Sequence, residues 1–452
     1  MPFEATTKYG AVRGYAEGGV IKFHAIPYAK PPVGALRFRL PQEPDPWDGV
    51  LDARERGVAP PQYASDLDLP MGPIGLPTGE DCLTLAVSTP SLDACLPVAV
   101  WFHGGANCYG GGDLPWYDGA GLARSANVVE VNLNFRLGPL GFLCVKGVQE
   151  ENLSIEDQML ALRWIRDNIR SFGGDPNRIT LFGQSAGGNA IAHILSRPDS
   201  EGLFHQVILQ SASLGRGNHL LSDAFEVGDA VLRNLGIDPD GDGVLQKLQE
   251  ASVDAILQAA DTVPQELKAK HQGMYFKPVM DSWHTPEQTA RRAAEMAAKR
   301  GIRVVTGFTK DETHAFSTAR DPASLEALER GQHLRYELPG GLFAQTAADL
   351  GCDVWKYEFD WSAPDSIFDS CHCLELPFLF GNFQAWNAPF LAGADPAEMQ
   401  RLKETLQSAW GTFFRGETPD AGFWPKYTSG ERTIKFFDNE TNPVGREPEY
   451  RI

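Results

Sequence analysis

A serine among small residues, Gly183-Gln184-Ser185-Ala186-Gly187-Gly188, follows the apolar run Ile179-Thr180-Leu181-Phe182 and precedes Asn189-Ala190-Ile191-Ala192-His193-Ile194-Leu195. That order predicts strand, sharp turn and helix, the setting of a nucleophile elbow. The neighbours must be small, because a larger side chain two positions away would strike the strand or the helix. The turn lifts the Ser185 hydroxyl out of a sheet and aims a helix N-terminus at the reaction centre. A serine hydroxyl is a weak nucleophile at neutral pH. It needs a general base, a group to hold that base, and donors for the oxyanion.

The sequence offers each of these. His103-Gly104-Gly105-Ala106 follows the apolar run ending at Phe102, and a strand opening into a glycine loop can aim successive N–H groups at one point. Gly105 and Ala106, with the N–H of Ala186, make a three-donor oxyanion hole. Among ten histidines, His372 is favoured as base. It lies far downstream, beyond the apolar run 354–359, in a loop before another apolar run. His103 reads as structural, and His314 as a surface or pocket-wall residue. The acid is sought in Gly307-Phe308-Thr309-Lys310-Asp311-Glu312-Thr313, after the run 302–306. Glu312 is one choice and Asp311, one residue away, its rival. Either would fix the histidine tautomer and stabilise the imidazolium. The chain order is then nucleophile, acid, base.

These groups need a scaffold. Apolar, β-branched runs recur at 97–102, 127–133, 179–182, 206–209, 302–306 and 354–359, with helical periodicity at 154–171, after the elbow, and at 397–414. Such alternation predicts a doubly wound, largely parallel sheet with helices on both faces. We expect a single domain over 1–452, with a helix-rich, polar insertion at about 213–300 and 320–350. This insertion is expected to cap the C-terminal edge of the sheet. Hydrophobic content of 42% and aromatic content of 10% are those of a globular protein with a sizeable core. A net charge of −19 argues against nucleic acid or anionic membranes as partners. The first residues carry no leader pattern, no run approaches a membrane span, and seven cysteines are an odd number. The expectation is reduced thiols in a cytoplasmic setting. Cys371-His372-Cys373 cannot converge easily on one tetrahedral ion, so no metal is expected, and the chemistry needs no cofactor.

Several motifs in order resemble the type-B carboxylesterase family, which includes cholinesterases and bacterial para-nitrobenzyl esterases. They are Ala25-Ile26-Pro27-Tyr28-Ala29-Lys30-Pro31-Pro32-Val33-Gly34 with Arg37-Phe38, then Glu80-Asp81-Cys82-Leu83-Thr84-Leu85. Asn134-Phe135-Arg136-Leu137-Gly138 with Gly141-Phe142-Leu143 follows, and Trp424-Pro425-Lys426-Tyr427 comes late in the chain. The resemblance spans nearly the whole chain and implies an α/β-hydrolase fold. It implies Glu312 rather than Asp311 as the acid and His372 as the base, and it implies Gly105, Ala106 and Ala186 as the oxyanion hole. It also implies two structural ion pairs, Arg37 with Glu80 and Arg136 with Asp157. Ser211 matches a serine behind the triad in relatives, with an expected hydrogen bond to the acid or the base.

The implied activity is a serine carboxylesterase acting on small-molecule esters through an acyl-enzyme. Rivals on the same fold are an amidase or a dedicated natural-product or toxin ester hydrolase, and more remotely a non-catalytic binding module. The chain departs from the family pattern in places. Ala106-Asn107 replaces Gly-Phe, and Asn107 is expected to open or polarise a pocket wall. Gln184, expected with Ser211 directly behind the triad, replaces glutamate, which argues against cationic choline esters. Cys82 lacks its usual partner cysteine. Pocket walls are expected from Trp116, Phe316, Phe378, Trp386 and the insertion. Neither the ester nor the oligomeric state follows from the sequence.

Overall fold

The computed structural model describes residues 3–420, 422–438 and 443–447. Its centre is a thirteen-stranded sheet. The strands are β1 Phe3–Thr6, β2 Ala11–Glu17, β3 Val20–Pro27, β4 Val50–Asp52, β5 Thr84–Thr89, β6 Leu96–Phe102 and β7 Val129–Leu133. They continue with β8 Gly174–Gln184, β9 Gln206–Gln210, β10 Arg303–Thr309, β11 Val354–Phe359, β12 Thr433–Phe437 and β13 Val444–Arg446. The order across the sheet is β1-β2-β3-β5-β7-β6-β8-β9-β10-β11-β12-β13, with β4 beside β2. From β7 to β12 all pairings are parallel. The N-terminal flank β1, β2, β3, β5 and β7 is antiparallel, because links such as Gly18-Gly19 between β2 and β3 are too short for a crossover.

Alternation along each strand divides the core into two layers. On β6, Val98, Val100 and Phe102 face one layer, with Ile155, Met159, Leu162 and Ile165 of helix Leu153–Asn168. Ala99 and Trp101 face the other, with Leu406 and Trp410 of helix Pro396–Phe414. β7 lies on one side of β6 and β8 on the other, so the chain changes direction across the sheet at β6. Ligands in open α/β sheets bind outside the strand C-termini at such a switch point.

Before its last helix, the segment 213–300 holds four α-helices, Leu221–Asn234, Val244–Glu250, Val253–Asp261 and Gln265–Lys270. They share a small core, including Val231, Leu248 and Ile256, with Phe38 and Phe142. Its last helix, Pro286–Arg300, is different. It opens on a Thr285/Gln288 capping box, ends at Gly301 with φ 64°, and lays Ala290, Ala293, Ala294 and Ala297 against the sheet as the crossover into β10. The segment 320–350 divides likewise. Helix Leu338–Asp349 packs Phe343 and Ala344 into the sheet core. Before it come helix Pro322–Gln332 and a single π-helical turn, His333–Glu337.

Candidate active site

Ser185 stands between β8 and helix Ala186–Leu195, with φ 57° and ψ −123°. A non-glycine residue there is strained. The turn is held by the Ser185 N–H donating to Gln210 O at 2.9 Å and the Asn189 N–H donating to Ser185 O at 3.1 Å. The close packing explains the glycines. A Cβ on Gly187 would lie 2.0 Å from Phe102 O, and one on Gly188 would lie 2.8 Å from Ala212 Cβ. Helix and β6 can approach this closely only without side chains.

The glycine loop leaves the C-terminus of β6. Gly105 and Ala106 both have positive φ, 108° and 53°, and Gly105 O accepts from Cys108 and Tyr109 N–H at 2.9 Å each. The loop touches the elbow: a Cβ on Gly104 would sit 3.1 Å from Ser185 Cβ. Among the described residues, nothing accepts a hydrogen bond from the N–H groups of Gly105, Ala106 or Ala186. Asn107 does not open a pocket wall. It is buried, and its amide donates to Phe276 O at 2.9 Å, tying the loop to the insertion.

The expected acid and base, Glu312 and His372, sit on the loops after β10 and β11. These loops clasp each other through the backbone: Asp311 N–H donates to Ser370 O at 2.9 Å and His372 N–H to Glu312 O at 3.3 Å. Ser370 N–H returns a bond to Asp311 Oδ2 at 3.1 Å, so Asp311 is spent on the loop. Glu312 takes the Thr309 N–H on Oε1 at 3.0 Å and the His372 Nδ1 on Oε2. Both Glu312 and His372 are fully buried. With Nδ1–H given to the carboxylate, Nε2 carries the lone pair. The Gln184 amide nitrogen lies 3.1 Å from Nε2 and 3.4 Å from Nδ1, against the face of the ring and off that lone pair. Among the described residues no hydrogen bond joins Ser185 Oγ to the ring. Sequence reasoning placed Gln184 behind the triad but did not foresee this contact.

Other expected residues fall as follows. Ser211 is buried beside the site, but its Oγ has no hydrogen-bond partner among the described residues. The expected bond to acid or base is therefore absent. Arg37 pairs bidentately with Glu80 at 2.7 and 2.6 Å and also donates to Gln249 O and Ala251 O. Arg136 pairs with Asp157 at 2.8 and 2.6 Å, fully buried. His103 is buried, stacks on Phe135 at 4.4 Å, and is pushed down to about 4 by burial. His314 pairs with Asp369 at 2.7 Å. Cys371 and Cys373 are buried beside the base, and burial pushes both thiols well up. No group of three or more metal-ligating side chains occurs among the described residues.

A cavity of about 30 Å³ touches Gly104, Gly105, Gln184, Cys373 and Trp116, and Trp116 stacks on Trp386 at 5.1 Å. Phe316, partly exposed, lies 5.5 Å from the His372 ring. Phe378 does not line the site: it is fully buried against Phe359 and Trp361. Two groups had no expected role. Tyr336, in the π-helical turn, is buried with its ring 5.3 Å from that of His372. Glu375, fully buried, accepts from Gln210 Nε2 at 3.3 Å and is pushed up to about 7, first by burial and then by the Glu312 carboxylate.

A model of the carboxylesterase family matches residues 2–332. The chain is 38% identical to the para-nitrobenzyl esterase of Bacillus subtilis, across 98% of this chain and 96% of that protein. It is 34% identical to phenmedipham hydrolase of Pseudarthrobacter oxydans, across 98% and 96%. The solved structure of a thermophilic PNB esterase superposes with a TM-score of 0.86 at 34% identity, covering 99% of this chain and 98% of the other.

Proposed function

The chain belongs to the carboxylesterase family and is a carboxylic ester hydrolase, and on that premise we propose that Ser185, His372 and Glu312 carry the reaction. One observation supports this most: a buried Glu312–His372 pair held beside a strained serine elbow at the C-terminal edge of the sheet. Ester binding brings the Ser185 hydroxyl onto the Nε2 lone pair. His372 then takes the hydroxyl proton as Oγ attacks the ester carbonyl, and Glu312 stabilises the imidazolium. The free N–H groups of Gly105, Ala106 and Ala186 receive the oxyanion; losing one such donor typically costs about 3–4 kcal/mol of transition-state stabilisation. His372 protonates the leaving alcohol. It next activates a water that hydrolyses the acyl-enzyme. No step calls for a cofactor.

The insertion reaches the site at Phe276, which holds Asn107, and the 320–350 segment reaches it at Tyr336. Both contacts support the reading of a cap that shapes the pocket. All seven cysteines are free, and no described helix is long and apolar enough to cross a membrane. The free thiols support a reducing, cytoplasmic compartment.

The test is hydrolysis of 4-nitrophenyl esters from acetate to decanoate by wild type and Ser185→Ala. Turnover should fall by at least ~10³-fold in the variant, and the chain-length optimum measures the pocket. Turnover that survives the substitution overturns the nucleophile assignment.

A further inference from the structure

The turn that carries the base holds a residue that its backbone does not favour. Leu374 N–H closes this turn on Cys371 O at 3.1 Å, which sets His372 and Cys373 at its central positions. Cys373 has φ 74°. A turn with positive φ at its second central position calls for glycine or asparagine, and a Cβ there is strained. The Cys373 side chain is nonetheless kept, buried, on the wall of the small cavity beside the glycine loop. Strain of this kind collects at active sites and ligand clamps.

That cavity, about 30 Å³, has room for one water or a methyl group. It adjoins the triad directly. Gln184 on its wall precedes Ser185, and Cys373 follows His372. Gly104, also on the wall, packs so close that a Cβ there would lie 3.1 Å from Ser185 Cβ. The other walls are stiff. Trp116 stacks on Trp386 at 5.1 Å, and Tyr117 meets Phe380 at 5.2 Å. Met71, buried, completes the lining. Asp68, the carboxylate on the lining, accepts the Ser65 N–H of its own loop at 3.3 Å.

A leaving oxygen must come within reach of His372 Nε2 to be protonated. The Gln184 amide lies 3.1 Å from that atom, and Cys373 is the residue after the base. The cavity they share therefore lies on the base's side of the ester carbonyl. We propose that it receives the alcohol arm of the ester and that the Cys373 side chain sets its size, which makes esters of short, uncharged alcohols the substrates. The inference rests on the esterase reading and names its substrate class. Cys373→Gly removes Cβ and Sγ from the wall, and glycine suits the turn's φ.

The test measures kcat/KM for methyl, ethyl, propyl and butyl acetate by titration of the acid released. Wild type should favour methyl over butyl acetate by at least ~10-fold. In Cys373→Gly the two should come within about threefold of each other. Met71→Ala, which widens the same cavity, should narrow the ratio too. Cys373→Ser keeps the volume and should keep the wild-type ratio. The 4-nitrophenyl series from acetate to decanoate should keep its chain-length optimum in Cys373→Gly. Its aryloxide leaves without a proton and needs no place at Nε2. Equal rates on methyl and butyl acetate in wild type, or a ratio unchanged by Cys373→Gly, overturn the proposal while leaving the esterase reading intact. A shift in the acyl optimum instead of the alcohol ratio overturns the choice of arm. A shift in Cys373→Ser as large as in Cys373→Gly overturns the size argument. Absence of turnover on every ester removes both readings.

Discussion

At pH 8, Glu375→Gln should make this protein more stable, and at pH 5 it should change stability far less. Glu375 has no exposure to solvent. Its Oε1 takes one long bond from Gln210 Nε2, 3.3 Å, and its Oε2 has no partner among the described residues. Gln210 is itself fixed by Trp410 Nε1 on its oxygen at 3.2 Å. Burial, and then the nearby Glu312 carboxylate, raise Glu375 from its ordinary 4.5 to about 7. An acid raised in the folded state gives stability that is complete below its unfolded value and is lost as pH rises through its folded value. The interval from 4.5 to about 7, at about 1.4 kcal/mol per pH unit, comes to about 3 kcal/mol by pH 8. At pH 5 less than ~1 kcal/mol of it has gone. Glutamine has the same shape and no charge to desolvate. Urea unfolding at both pH values should therefore show the gap between variant and wild type widening by about 2–3 kcal/mol. Parallel pH dependence in the two proteins would refute the assignment of a buried, late-ionising acid behind the triad.

Three further outcomes follow from particular contacts. Arg136→Met strands the fully buried Asp157 carboxylate and should cost about 3–5 kcal/mol in urea unfolding; adding Asp157→Leu should recover most of it. Gly187→Ala forces a Cβ to 2.0 Å from Phe102 O, parting the elbow from the glycine loop. Steady-state kinetics should show kcat falling about 10²-fold, with a smaller change in thermal midpoint. Gln184→Glu sets a carboxylate where an amide now lies 3.1 Å from His372 Nε2 and favours the imidazolium. The acidic limb of kcat/KM against pH should move up by about 1–3 units, and an unmoved limb would deny Gln184 its place on the base.

The elbow was legible because its chemistry is local. Strand, glycines and helix are consecutive, even though the atoms that forbid side chains at Gly187 and Gly188, Phe102 O and Ala212 Cβ, come from elsewhere in the sequence. The order of strand, acid, strand and base was legible for the same reason, and the structure delivers β10 before Glu312 and β11 before His372. What sequence reasoning did not reach depends on side chains brought together from distant positions. Nothing in the letters around Gln184 says that its amide turns to His372, 188 residues away. Ser211 lies near the site yet without its bond to acid or base, and no local pattern announces which way its hydroxyl turns. Phe378 looked like a pocket wall by proximity to His372, but the turn of helix Leu376–Phe380 carries it into the core. The π-helical turn has no period that a helical pattern could reveal, so Tyr336 passed unnoticed.

The backbone clasp between the Glu312 and His372 loops has a consequence for how this protein can change. Acid and base are 60 residues apart in sequence, yet their spacing is set by main-chain bonds at 311–312 and 370–372. The helices between them hang from that clasp like a drawer between fixed rails. Substitutions within 322–327 can remodel the outer helix without carrying the acid away from the base, whereas Leu328, Gln332 and Tyr336 touch Thr313, Lys310 and His372 themselves. A library confined to 322–327 would leave the proton-transfer pair unaltered, while changes at 311 or 370 would alter every substrate alike.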